Sequence, residues 1–405
     1  MKRSLYLLML TILVVVMSEL QVAGMMPEIA ADLDVSTSQV GLLVSMYALG
    51  MAIGGPLLAY ALRHSPPKRS LLMVVAGYAV LEVLVPLVHE YWWIALLRVL
   101  TGCLAGAAFG LSVTFGARLA ATPSKIGEAI SIVLGGIMVG TVIGLPLSHL
   151  IAGRWGWQTS FYVLGAAALL LFFISLIGLP SREPASQEDA AQDVRNLRSP
   201  RLWSRYLVSL LTIGAAYASF SYFTPLLEQS AGFSADTTTL ILLAYGAFSL
   251  IGNLIVGKFA DSHAVGVLRF GHALLFVSLG LIALFADVSL LVLVMVLVVG
   301  FAGVTMNPAL VTRVAEVGGA GNLVSTVHTA VITMGVTLGT AISAVTISAF
   351  GDNPSVAMWT GAVFAAFAAL ALAIQTRKQT SPVDAEKQDR MESQPAPADS
   401  GVRDS

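Results

Sequence analysis

Charge is what this sequence has least of. Only 11% of its 405 residues are Asp, Glu, Lys or Arg, against about 25% in a soluble protein. Too few charges exist to cover a water-facing surface of this size, which excludes an ordinary soluble domain. Cysteine is nearly absent: the lone Cys103 excludes an intrachain disulfide and leaves the redox compartment open. No basic cluster with interleaved aromatics occurs, so nothing points to nucleic acid. Nor does any nucleophile or metal constellation point to an enzyme or a bound cofactor. What the chain does have is hydrophobic residues, 57% of the total, gathered in runs near 20 residues. Such runs read as an all-α polytopic membrane protein.

Apolar segments recur at about 4–26, 37–62, 69–88, 91–117, 126–150, 158–179, 203–229, 236–258, 267–286, 288–312, 321–349 and 355–375. Each is close to the ~20 residues that cross ~30 Å of hydrocarbon, which predicts 12 transmembrane helices. Met1-Lys2-Arg3 before an apolar run has the look of a signal peptide. The run continues through Glu19 to Met26 with no convincing small-residue cleavage site, so a first spanning helix is the simpler reading.

Cations fall on the even-numbered connections and at both ends, whereas acids such as Glu28, Asp32, Glu228 and Asp352 fall on the odd ones. Of 22 Lys and Arg, only Arg98 and Arg154 depart from this side. The alternation predicts that both termini are cytoplasmic. A charged stretch from Pro180 to Pro200 divides the chain midway. The expected organisation is a six-helix bundle over 1–179, a cytoplasmic linker over 180–202, a second bundle over 203–376, and a disordered tail over 377–405.

The halves repeat. Gly50 and Gly55 on the second span correspond to Gly252 and Gly257 on the eighth, about 200 residues on. Gly136, Gly140 and Gly144, with Pro146, correspond to Gly335, Gly339 and Ser343. Small residues spaced by four let helix backbones approach closely. Duplicated halves with a site between them mark a transporter.

Two motifs mislead. Gly252 to Lys258 fits G-x-x-x-x-G-K, but Phe259 stands where a phosphate loop needs Ser or Thr, and no strand precedes it. His89-Glu90 begins a zinc motif that fails at Trp93.

Three charges remain inside apolar segments: Glu19, Glu82 and Arg98. At ~1.5 Å per residue, Glu19 stands about 21 Å and Glu82 about 18 Å up their helices, and Arg98 about 9 Å down its own. All three share one level. Charges in hydrocarbon are costly, so they are paired, face protein or water, and mark function. A carboxyl out of water resists ionisation, whereas guanidinium stays charged. One of the two acids can therefore take and release a proton, unless the trio is a static pair pinning two helices.

The stretch SELQVAGMMPEIAADL from Ser18 to Leu33 resembles the first-helix signature of bacterial drug:proton antiporters of the major facilitator superfamily. GGPLLA from Gly54 to Ala59 is similar to its second-helix motif. Arg98 and Gly102 match an R-x-x-x-G motif linked to proton transfer. Gly140 to Pro146 resembles the fifth-helix antiporter motif, and GRWGWQ from Gly153 to Gln158 the turn after it. The nearest branch looks like chloramphenicol-resistance and sugar- or nucleoside-efflux exporters. The resemblance covers nearly everything to about residue 376. It implies two pseudo-symmetric six-helix bundles, the major facilitator fold, in a bacterial inner membrane.

It also implies proton-coupled export of small drug-like molecules by a monomer that needs no cofactor beyond the proton gradient. Glu19, Glu82 and Arg98 would handle the proton. Arg63, Lys68, Arg69 and Asp261 would form a cytoplasmic gate, with Ala59 where the pattern carries an acid. Glu82 departs too, standing where a neutral polar residue is expected. Candidates for the substrate cavity are Gln21, Met25, Tyr217, Phe220, Tyr222, Met306, Asn307 and His328, since aromatics and Met suit drug-sized ligands. Packing is an equal reading for each, and the second half is expected to hold no charge within its spans. Uptake on the same fold, or a non-transporting membrane sensor or scaffold, are the alternatives.

Overall fold

The computed structural model describes residues 2–62, 65–119, 126–181, 197–318 and 322–379. Twelve helices among them are long and apolar enough to cross a membrane, and no strand occurs among the described residues. Helices are the structure hydrocarbon permits here, because each satisfies its own backbone N–H and C=O groups.

The first bundle comprises α1 (Lys2–Gly24), α2 (Met26–Leu33), α3 (Thr37–Ala61), α4 (Pro67–Leu84), α5 (Tyr91–Arg118), α6 (Ile126–Trp155) and α7 (Trp157–Gly178). The second comprises α8 (Pro200–Phe220), α9 (Ala235–Leu284), α10 (Ser289–Ala302), α11 (Asn307–Gly318), α12 (Asn322–Ala349) and α13 (Val356–Gln379). The face holding the start of α1 and the end of α13 is called the terminal face below, and the opposite one the distal face.

Not every span is one helix. At 50 residues, α9 would run about 75 Å if straight, far beyond one membrane. It folds at His263 (φ −136°, ψ 33°) into spans over Ala235–Ala260 and Ser262–Leu284. The tenth span breaks at Gly303 (φ −75°, ψ −101°) and resumes as α11 after a 3₁₀ turn, Val304–Met306. The seventh ends in a π-turn, Leu226–Ser230. Local unwinding of this kind survives in a membrane only against protein or a cavity.

Glycine strips set the packing. Side chains added at Gly136 and Gly140 on α6 would strike the Met9 carbonyl and Val16 of α1, and one at Gly144 would touch Leu20. Gly335 and Gly339 on α12 press against the Leu210 and Gly214 carbonyls of α8 in the same way. Gly50 and Gly252 lie against the Val99 and Phe301 carbonyls, on α5 and α10. Gly257 has open space around it, so the duplicated pattern is incomplete there. Between bundles, α3 packs on α12 and α6 on α9.

The second bundle does hold buried charge, contrary to expectation. Arg205 on α8 and Arg313 on α11 are both buried: Arg205 lies within the seventh apolar run itself, and Arg313 just past the tenth, on a helix that runs further. Arg313 donates to Gln375, which donates to the Ser204 carbonyl. Most of the expected linker, the tail beyond 379, and Arg63 lie outside the described residues, as does the Asp261 side chain.

Candidate functional site

The charged trio converges on one residue of α1. Glu82, on α4, and Arg98, on α5, are fully buried, and Ser18 lies between them. The Ser18 hydroxyl donates to Glu82 Oε1. Arg98 Nη1 donates to that hydroxyl at 3.2 Å, and Nη2 to the Ser18 carbonyl at 3.0 Å. Gln21, one turn on, donates to Glu82 Oε2 at 3.1 Å and accepts from Ser160 of α7 at 3.0 Å. Both Glu82 oxygens are thus satisfied by neutral donors. Arg98 also lies over the Tyr47 ring, 4.2 Å from its centroid. Tyr47 is fixed in turn by donating to the Val15 carbonyl at 3.0 Å.

Helix geometry separates the two acids. Successive residues project about 100° apart, so Ser18 and Gln21 share the face turned to Glu82, and Glu19 points elsewhere. It turns toward the second bundle, where Tyr217 is its polar neighbour. Glu82 is sealed inside the first bundle, and Glu19 sits on the seam between the two.

The other candidates scatter. Gln21 belongs to the Glu82 network. Met25 is fully buried. Phe220 stacks on Tyr245 with centroids 5.0 Å apart, forming the packing beneath Tyr217. Tyr222 crosses the seam, against Gly41 of α3, and donates to the Thr340 carbonyl at 3.2 Å. Met306 packs on Gly271, and Asn307 sits at the break in the tenth span with a buried, unpartnered Oδ1. His328 stacks on Tyr206 and meets Ser209 at 2.8 Å. At the terminal face Lys68 is half-buried and Arg69 exposed.

A cavity of about 280 Å³ lies between the bundles toward the terminal face. Met51, Phe109, Phe115 and Arg118 line it from the first bundle, Thr329 and Thr333 from the second. None of the cavity candidates named from sequence reaches it.

Toward the distal face the seam is joined by polar contacts. The Ser45 and Thr340 hydroxyls meet at 2.6 Å. Thr37 and Ser38, the first residues of α3, donate their backbone N–H groups to Asp352, in the turn between α12 and α13, at 3.0 and 3.3 Å. A carboxylate there satisfies orphan donors and meets the positive end of the helix dipole. His149, on α6, reaches the Ala235 carbonyl at 3.1 Å and Glu228 at 3.2 Å, both in the second bundle. Glu28, on α2, stands 3.7 Å from its other nitrogen. Burial holds the Glu28 carboxyl above the usual carboxylate range; a backbone hydrogen bond and His149 pull it back, and Glu228 pushes it up. Sequence reading overlooked His149 and Ser18. A lone histidine within an apolar run, between acid-bearing loops, was the available signal for the first.

A model of the Major Facilitator Superfamily matches residues 8–327. A chloramphenicol resistance protein of Streptomyces lividans is 29% identical over 372 residues, covering 90% of this chain and 94% of its own. Inner membrane transport protein YdhP of Escherichia coli (strain K12) is 28% identical over 367 residues, with the same coverage. A bacterial homologue of the human lysosomal transporter Spinster, solved inward-facing and unoccupied, superposes with TM-score 0.73 at 17% identity, covering 93% of this chain and 97% of its own. The D-xylose–proton symporter gives 0.69 at 16%, covering 91% and 96%. At those identities the solved structures establish the shared fold.

Proposed function

The chain belongs to the Major Facilitator Superfamily, and on that premise we propose that it is a secondary transporter exporting small organic molecules in exchange for protons. The observation that carries this reading is the position of Glu19. It is a buried acid on the seam, with Tyr217 of the other bundle as its polar neighbour. A proton arriving there changes the charge at the surface along which the bundles move. Glu82 is enclosed by Ser18 and Gln21, which supports a fixed role: it orients Ser18 and, through it, Arg98.

The terminal face is taken as cytoplasmic, on the distribution of Lys and Arg. The cavity between the bundles is then the cytoplasmic entry for substrate, with Lys68 and Arg69 beside its rim. Its volume nears the lower end of drug-sized pockets, ~300–1,000 Å³, and its lining mixes aromatics with threonine hydroxyls. Glu19, Glu82 and Arg98 together carry one net negative charge, which favours neutral or weakly cationic substrates. The chloramphenicol resistance relative supports drug export, with sugar or nucleoside efflux as the neighbouring possibility. In the cycle, substrate enters from the cytoplasm and leaves at the distal face. Glu19 takes a proton there, the bundles rock, and the proton leaves inward. The membrane potential adds ~2.3 kcal/mol per charge per 100 mV.

The test is substrate flux in proteoliposomes under an imposed pH gradient. A gradient drives accumulation against the proton flow if the proposal holds. Flux indifferent to the gradient refutes proton coupling, accumulation with the proton flow makes the protein an importer, and no flux at all favours a sensor or scaffold. A susceptibility panel in an efflux-deficient host, wild type against Glu19→Gln, narrows the substrate.

A further inference from the structure

His149 is a buried titratable side chain for which the mechanism above has no use, and its partners are of an unusual kind. Nδ1 lies 3.0 Å from the Gly24 carbonyl and Nε2 3.1 Å from the Ala235 carbonyl. A carbonyl oxygen only accepts. A neutral imidazole has one N–H, so it satisfies one of these carbonyls and turns a lone pair on the other. The imidazolium has two N–H groups and satisfies both. Two carboxylates flank the ring as well, Glu28 at 3.7 Å from Nδ1 and Glu228 at 3.2 Å from Nε2. Gly24 and Glu28 belong to the bundle of His149 itself, Ala235 and Glu228 to the other. The full set of bonds to His149 therefore exists in one protonation state, the one whose positive charge also faces Glu228 across the distal seam.

We infer that His149 is a proton-dependent latch on the distal face: protonated, it joins Gly24 and Glu28 to Ala235 and Glu228 and holds that face shut. This deepens the transport reading and rests on it, since a latch needs a distal-open state to act on. It differs from the Glu19 site in kind. His149 takes its proton when the distal face is open and returns it to the same side on reopening, so it gates without carrying protons through.

The sign follows by linkage. Closing supplies one acceptor, the Ala235 carbonyl, and one carboxylate, Glu228, that the open state lacks, so the closed state binds the proton more tightly. The closed face is favoured below the pKa of His149 in the open state. That preference is lost as pH rises through its pKa in the closed state. Glu28 acts in the same direction, because burial in the closed face favours its protonated form. The other charged groups on helices packed against α6 have other partners or places. Glu19 turns to Tyr217, Arg98 to Ser18, and Asp32 to Trp157 and Gln158. Asp236 is exposed, and Arg118 and Lys258 lie toward the terminal face.

The experiment is a spin-label distance across the distal face of the full-length transporter in nanodiscs. Labels go at exposed Trp92 and Leu290, each replaced by Cys, with Cys103→Ser, titrated between about pH 5 and 8.5, a window bracketing the ordinary histidine pKa of ~6.5. The expected result is a closed population that grows as pH falls, a dependence that His149→Gln flattens. Should that variant not assemble, Glu228→Gln carries the test: losing one flanking carboxylate moves the closure midpoint about one unit to lower pH. A pH-independent distance in wild type, an unchanged titration in His149→Gln, or an unmoved midpoint in Glu228→Gln overturns the latch. Repeating the titration in Glu19→Gln separates the two sites. The latch predicts that its pH dependence persists there, even if proton-driven flux fails in wild type.

Discussion

The side chain of Tyr217, on the second bundle, neighbours the buried carboxyl of Glu19, on the first. This pairing places a titratable group on the surface between the two bundles. Replacing Glu19 with Gln keeps the shape and removes the charge change. Proton-driven flux should fall by about tenfold or more, the equivalent of ~1.4 kcal/mol of lost coupling. Gradient-free exchange of labelled for unlabelled substrate should persist. If gradient-driven flux survives in Glu19→Gln, the proton site is elsewhere.

Arg98 should matter first for assembly. Its guanidinium is fully buried, bonded to both oxygens of Ser18 and laid on Tyr47. Removing one member of a buried charged network costs about 3–5 kcal/mol, so Arg98→Ala should aggregate or melt far below wild type. Arg98→Lys keeps the charge but has no planar fork for Ser18 and Tyr47, and should fall between. Melting curves of detergent-purified protein report both.

Two glycines offer a matched comparison. An added methyl at Gly136 meets the Met9 carbonyl of α1, whereas nothing stands within 4 Å of one at Gly280. Gly136→Ala should destabilise by about 1–3 kcal/mol, the usual cost of overpacking. Gly280→Ala should stay within about 0.5 kcal/mol, as a change touching no neighbour does. Equal melting points for the two would mean that α1 and α6 do not pack backbone to backbone.

Asp352 should bias the distal face toward closure. As Asn it still accepts a hydrogen bond but no longer complements the α3 dipole, a loss of about 0.3–1 kcal/mol and up to ~2. A shift of ~1 kcal/mol changes the open-to-closed ratio about fivefold. Thiol-labelling rates at a Cys placed in the distal seam should rise accordingly in Asp352→Asn. No rise would leave the Thr37 and Ser38 bonds without a part in gating.

Glu28 carries a pH prediction. Burial raises its pKa, with His149 pulling the other way, so on balance it binds a proton on closing. Its contribution to the closed face is complete at low pH and lost as pH rises through its raised value. In Glu28→Gln the closure titration should be shallower on its acidic side, with closure retained at neutral pH. An unchanged curve would mean that Glu28 keeps one ionisation state throughout.

Much of this molecule is legible in its amino-acid order. Twelve spans follow from hydropathy, because only helices about 20 residues long solve the backbone problem in hydrocarbon. The common depth of Glu19, Glu82 and Arg98 follows from the fixed helical rise, and the α1–α6 and α8–α12 contacts from glycines spaced by four. The buried state of Arg313 is not legible. A charge near the end of an apolar run reads as a loop residue until a partner such as Gln375 holds it inside.

The sequence by itself determined the number of membrane crossings, the duplication and the shared depth of the charged trio, since these depend only on counting residues along helices of known rise. Only the tertiary structure decided which way each side chain turns and what it meets. It put Ser18 between Arg98 and Glu82, gave Gln21 to Glu82, sent Glu19 across to Tyr217, and brought Glu28, His149 and Glu228 together from three distant segments. Rotation about a helix axis changes nothing in hydropathy or depth. It is fixed only when close packing of neighbouring helices selects one face, and that selection separates an acid sealed inside one bundle from one on the seam between the two.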